Sequence, residues 1–188
     1  MEANQSKGKR KTNSKEKKSN KSGCYLKQEY EKIKTKKEGL ETQFFNKFFK
    51  DFTGFLGTYS QDQLMDLQIN LFPVSLIVNL DLSTKPGSHW IALNMTDNII
   101  EIYDSLGFQS ANWGSHPKFL LKFLRKYKRT HRFISTPRLQ GEQSFLCGFY
   151  CVFFLCYRKT YSFKSCISVF STNLTTNDQI LLAHIFKL

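Results

Sequence analysis

Five thiols are the chain's candidate nucleophiles: Cys24, Cys147, Cys151, Cys156 and Cys166. A thiolate attacks carbonyl carbon, and a helix N-terminus favours the negative charge it carries. Cys147 stands where the loop at residues 139–144 gives way to a continuous apolar run, a natural place for a helix to begin. Gly148 beside it has no side chain, which leaves room for a substrate backbone to approach. Cys151 and Cys156 fall inside the apolar run and suit core packing. Cys24 belongs to a basic segment, and Cys166 to a short Phe-rich stretch without polar company.

A nucleophilic Cys needs a base, and the base needs an orienting group. His89 opens an expected strand after Gly87-Ser88, and Asp104 ends the next one in Ile-Tyr-Asp-Ser-Leu-Gly. If the two strands pair through the connector Thr96-Asp97-Asn98, residues 89 and 104 fall at facing strand ends, where a carboxylate can hold an imidazole. His116, His131 and His184 lie in helical or basic contexts and read as surface residues. Gln140 and Gln143 both precede Cys147, and either amide, with the Cys147 backbone N–H, suits a developing oxyanion. Cys147 and Cys151 share a helical face, but no Cys-x-x-Cys pair or suitably spaced His completes a metal site, so no metal is expected. No glycine-rich phosphate loop supports a kinase or nucleotidase.

These residues need elements to hold them. Residues 25–55 have helical character, with Phe44, Phe45, Phe48, Phe49 and Phe52 on one face, until Gly54 and Gly57 break the pattern. Residues 75–82, 89–95, 99–104 and 132–136 read as strands. A helix is expected from an N-cap near Ser115, with Pro117 in its first turn and Phe119, Leu120, Phe123, Leu124 and Tyr127 as its apolar stripe. Further helices are expected over residues 146–157 and 176–186. Helices on both sides of a mixed central sheet make an α+β domain.

The chain has 188 residues and a formal net charge of +13. Residues 1–37 hold 13 of the 28 Lys and Arg against 4 of the 15 acids, leaving 15 against 11 elsewhere. Residues 1–37 are expected to be a disordered basic tail, the segment 1–22 having almost no apolar side chains, with the folded domain at 38–188. Lys7, Lys9, Arg10, Lys11, Lys15, Lys17 and Lys18 suit a nuclear localisation signal or a DNA-binding arm. The longest apolar run, residues 145–157, stops at 13 and meets Arg158 and Lys159, so no membrane partner is expected. The charged N-terminus has no apolar core of a secretory signal, and the thiols are expected to be free.

Four separated strings carry a resemblance: Phe55-Leu-Gly-Thr-Tyr59, Ser88-His89-Trp90, Tyr103-Asp104-Ser105, and Gln140-Gly-Glu-Gln-Ser-Phe-Leu-Cys147-Gly148. Over about residues 53–158 the chain resembles the adenain-like cysteine proteases of adenoviruses and related elements of the Maverick/Polinton type. The wider clan includes the SUMO-deconjugating proteases. The resemblance implies a papain-like, adenain-like fold with Cys147 at a helix N-terminus as nucleophile, His89 as base, Asp104 as orienting carboxylate and Gln140 as oxyanion donor. It makes Trp90 an aromatic wall of the substrate site, although a core tryptophan is equally compatible. Adenains carry Glu where this chain has Asp104, and Asp-Ser-Leu-Gly looks more like the SUMO-protease branch.

The resemblance also implies an endopeptidase acting on virion precursor proteins at glycine-containing sites, in the host nucleus and the virion. DNA and an activating peptide would be accessory factors, while the bond-breaking chemistry requires no cofactor. Phe133 stands beside Arg132 where the family has the Cys that bonds that peptide, so the resemblance does not extend to a covalent one. The protein is expected to act as a monomer. The alternatives are a deconjugating protease for a ubiquitin-like protein and a non-catalytic nucleic-acid binder on a degenerate protease fold.

Overall fold

The computed structural model describes the backbone of residues 8–108 and 117–188 and the side chains from Lys21 onward within them. Helix α1 (Gly8–Lys36) and helix α2 (Thr42–Phe48) precede strand β1 (Phe55–Ser60). Strands β2 (Val74–Asn79), β3 (Trp90–Met95) and β4 (Ile99–Tyr103) follow, then helix α3 (Lys118–Arg125) and strand β5 (Arg132–Ser135). Helices α4 (Cys147–Tyr157), α5 (Phe163–Ser168) and α6 (Leu174–Ile185) complete the order.

The sheet runs β1-β2-β3-β4-β5. The inner pairs β2/β3 and β3/β4 are antiparallel, while each edge strand lies parallel to its neighbour. Successive strand side chains point to opposite faces, and the burial follows that alternation. Ile77, Trp90, Ala92 and Tyr103 pack with α1, α2, α4, α5 and α6 on one face. Leu76, Val78, Ile91, Leu93, Met95, Ile100 and Ile102 pack with α3 on the other. The expected α+β arrangement, with a mixed sheet between helices, is the one observed. Helix α4 is buried all round from Cys147 to Leu155, which explains an apolar run with no polar face.

Several expectations change. The N-terminal helix runs from Gly8, and the folded body begins well before residue 38. Leu26 is fully buried, Tyr30 and Ile33 pack behind it, and Tyr25 stacks on Phe44 with ring centroids 5.6 Å apart. The reason is periodicity: residues 26, 30 and 33 share one helical face, which charge counting over 1–37 conceals. Met1–Lys7 and the expected N-cap at Ser115 lie outside the described residues. The helical reading of residues 25–55 divides at Lys37, which adopts a positive φ of 54°. Beyond it, residues 55–60 form β1 with a register shift at Phe55/Gly57, an irregular edge that pattern reading treats as a mere break.

Candidate active site

Cys147 is the first residue of α4 and only 6% exposed. The first N–H groups of an α-helix have no acceptor within the helix, and here the ladder starts with the Tyr150 N–H donating to the Leu146 carbonyl at 3.0 Å. Unpaired N–H groups and the helix dipole therefore converge where a thiolate or an oxyanion would carry its charge. Burial pushes the Cys151 thiol far up, the Cys156 thiol to about 12 and the Cys166 thiol to about 11. Those three stay protonated at neutral pH, and Cys24 is exposed on α1, where Gln28 is its hydrogen-bonding neighbour.

The sheet delivers the other partners. With Ala92 opposite Tyr103, His89 and Asp104 lie just past the paired stretch at the same end of the hairpin, as expected. Gly87, at φ +94°, makes the approach to His89 possible, because a Cβ there would collide with the Asn79 side-chain amide. His89 Nε2 lies 2.7 Å from Asp104 Oδ1. The buried Asp104 carboxylate also accepts the Leu106 N–H at 2.9 Å, and its backbone is tied to Thr136 Oγ1 of the segment after β5.

Cys147 lies near enough to the same ring to help raise its pKa. Since Asp104 occupies Nε2, the nitrogen left for the thiol is Nδ1. Burial pulls the His89 pKa down, but the hydrogen bonds and negative charges of Asp104 and Cys147 outweigh it and raise the value to about 9. The ring thus binds strongly the proton a nucleophilic thiol must give up.

Gln140 is buried and Gln143 exposed, which separates the two amides on geometry. Gln140 Oε1 accepts the Ser105 hydroxyl at 2.5 Å, and Nε2 donates to the Ser144 carbonyl at 2.8 Å. Both ends of the amide are fixed within the loop that leads into Cys147.

The two residues expected to meet substrate do something else. Trp90 is 7% exposed, sits edge-on to Phe45 at 5.0 Å and donates its indole N–H to the Leu40 carbonyl at 2.8 Å. It packs as a core tryptophan, the reading that the sequence left equally compatible. At Gly148 a Cβ would come 2.9 Å from Phe45 Cζ and 3.1 Å from Leu40 Cβ, so the expected substrate space is filled by the chain itself. Leu40 therefore touches the residue after His89 and the residue after Cys147, clasping helix to sheet. Gly148→Ala should destabilise the fold by about 1–3 kcal/mol through overpacking, read as a melting temperature lower by several degrees. An unchanged melting temperature would return that space to substrate.

Among the described residues no group of three or more His, Cys, Asp or Glu could hold a metal ion, and no helix is long and apolar enough to cross a membrane. No protein-family model and no curated protein matches the sequence. In fold, the chain is similar to solved proteases. The selenomethionine form of the ASFV pS273R protease matches with a TM-score of 0.47 and 19% identity, over 80% of this chain and 68% of that one. The SUMO protease Ulp1, its catalytic cysteine oxidised to a sulfinic acid, matches with a TM-score of 0.33 and 14% identity, over 79% of this chain and 67% of that one.

The other histidines are placed apart from this group, though not as surface residues. His131 is buried between Phe72 and Tyr127, ring centroids 5.2 and 5.3 Å away, and its Nδ1 meets Thr130 Oγ1 at 2.8 Å. His184 hydrogen-bonds Tyr157 Oη at 2.7 Å, and burial, then the Lys187 charge, lowers its pKa. His116 lies outside the described residues, as does Lys7 of the basic set, while Lys9, Arg10, Lys11, Lys15, Lys17 and Lys18 fall along α1.

A basic surface was missed from sequence. No acidic residue occurs between Ser105 and Gly141. Lys122, Arg125, Lys128, Arg129 and Arg132 are exposed there without an ion-pair partner among the described residues. The signal was the acid-free run, which a whole-body average dilutes.

Proposed function

We propose that this chain is an adenain-like cysteine endopeptidase. The observation that carries the reading is the 2.7 Å pairing of His89, before β3, with Asp104, after β4, beside a Cys147 that opens α4 and acts on the same ring. The Cys147 sulfur attacks a peptide carbonyl while His89 holds the thiol proton. Gln140 and the Cys147 backbone N–H receive the oxyanion. Collapse forms a thioester and breaks the C–N bond, with His89 protonating the departing amine. Water, deprotonated by His89, then releases the acid and restores the thiol.

The ordered motifs extend the reading to viral precursor proteins cut at glycine-containing sites, in the host nucleus and the virion. DNA is a further proposed partner, through the basic N-terminal segment or the cationic surface of α3 and β5. An activating peptide would bind without a disulfide at Phe133. The Asp-Ser-Leu-Gly string at residues 104–107 favours the second reading, a deconjugating protease for a ubiquitin-like protein.

One assay separates the two: glycine-containing precursor peptides beside diglycine-linked SUMO and ubiquitin fusions, each with and without duplex DNA. The expected result is cleavage of the peptides, with stimulation by DNA that fades as salt rises. Cleavage of the fusions alone would establish the second reading, and cleavage of neither would remove both.

A further inference from the structure

Gln140 is held from a distance by helix α6. Ser144 Oγ lies 3.1 Å from Gln140 Nε2, accepts the Leu146 N–H at 3.3 Å and donates to Asp178 Oδ1 at 3.0 Å. Asp178 also accepts the Tyr150 hydroxyl of α4 at 3.1 Å. The preceding residue, Asn177, is fully buried and donates to the Leu139 carbonyl at 2.8 Å, immediately before Gln140. Two consecutive α6 residues thus grip the 139–144 loop on both sides of the amide.

The hydroxyl of Ser144 has one proton and two lone pairs. Because the proton goes to Asp178, both lone pairs face the amide N–H of Gln140 and the N–H of Leu146. A protonated or neutral partner at position 178 would let the hydroxyl rotate and turn its own proton toward Gln140. We propose that Asp178 is a positioning residue that acts through Ser144 to set the Gln140 amide for oxyanion binding. It touches no reacting atom. Its contribution is to hold the amide before charge develops, with one N–H shared between the Ser144 carbonyl and hydroxyl and the other left for the oxyanion. This inference rests on the proposed peptidase reading.

The test is a double-mutant cycle on peptide hydrolysis with Asp178→Ala, Gln140→Ala and both together, with Ser144→Ala as a gentler second way to break the same link. Asp178→Ala and Ser144→Ala should each lower kcat about 10- to 100-fold with KM within about twofold, a fraction of the 10²–10³ that an oxyanion donor supplies. Adding Asp178→Ala to Gln140→Ala should change kcat by less than about twofold. Alkylation of Cys147 by iodoacetamide, which forms no oxyanion, should proceed at the same rate in every variant. Equal fold losses in both backgrounds, or alkylation falling in step with hydrolysis, would make Asp178 a merely structural residue and overturn the proposal. If the unsubstituted protein hydrolyses no peptide, the peptidase reading fails and takes this one with it. Turnover with additive losses sinks this one alone.

Discussion

Cys147→Ala should abolish peptide hydrolysis, lowering kcat by at least about 10⁵-fold, the order seen when a covalent nucleophile is removed. No other side chain can replace it. Cys151, Cys156 and Cys166 are kept protonated by burial, and Cys24 is exposed on α1, in an element that carries none of His89, Asp104 and Gln140. The change removes one sulfur atom from a tightly packed position, so it should cost no more than about 1 kcal/mol, and the variant should fold. Circular dichroism and melting confirm the fold, and hydrolysis is then followed on a glycine-containing peptide. Site-resolved mass spectrometry after iodoacetamide treatment adds a second reading, since exposed Cys24 will also be labelled. In the unsubstituted protein the peptide containing residue 147 should carry the label sooner than those containing 151, 156 or 166. Hydrolysis surviving in a folded Cys147→Ala protein would leave the chain without its nucleophile and end the peptidase reading.

The parts of the site that were legible in sequence are those in which local pattern and chemistry coincide. His89 and Asp104 flank a hairpin whose connector is three residues long, so their meeting follows from short-range pairing. Cys147 opens an apolar stretch that no surface helix could tolerate, so burial and helix start were both readable. What sequence concealed depends on partners far along the chain. Trp90 and Gly148 look available until Leu40 and Phe45 are seen to fill the space beside them. The grip of Asn177 and Asp178 on the 139–144 loop spans more than thirty residues and leaves no periodic trace. Strand β1 hides for a similar reason: Gly57 and a register shift erase alternation, and its partner β2 lies beyond an intervening helical turn. Counting charge over fixed windows misled at both ends. It assigned the packed half of α1 to a tail and averaged the acid-free stretch of residues 105–141 into a mild body charge.

Asp104→Asn is expected to have the next largest effect on catalysis, and its signature lies in pH. His89 in the folded protein has a pKa of about 9 against an ordinary 6.5, opposed by burial and raised by Asp104 and Cys147. A group whose folded pKa is raised contributes stability that is fully present below its unfolded pKa and lost as pH rises through the folded value. Between about pH 6.5 and 9 the unsubstituted protein should therefore lose stability, by at most about 3 kcal/mol for one such group. Hydrolysis should hold up to about pH 9 and decline above it, because the leaving amine needs the proton on His89. Asn keeps the shape and a hydrogen-bonding oxygen but removes the charge, so the high-pH limb should move down by at least about one unit. kcat should fall about 10²- to 10⁴-fold, since the amide can also present an N–H and reverse the ring's tautomer. A limb that stays near pH 9 in Asp104→Asn would mean that the carboxylate does not hold the imidazolium. The 2.7 Å contact would then be a structural bond between strand ends rather than part of the catalytic machinery.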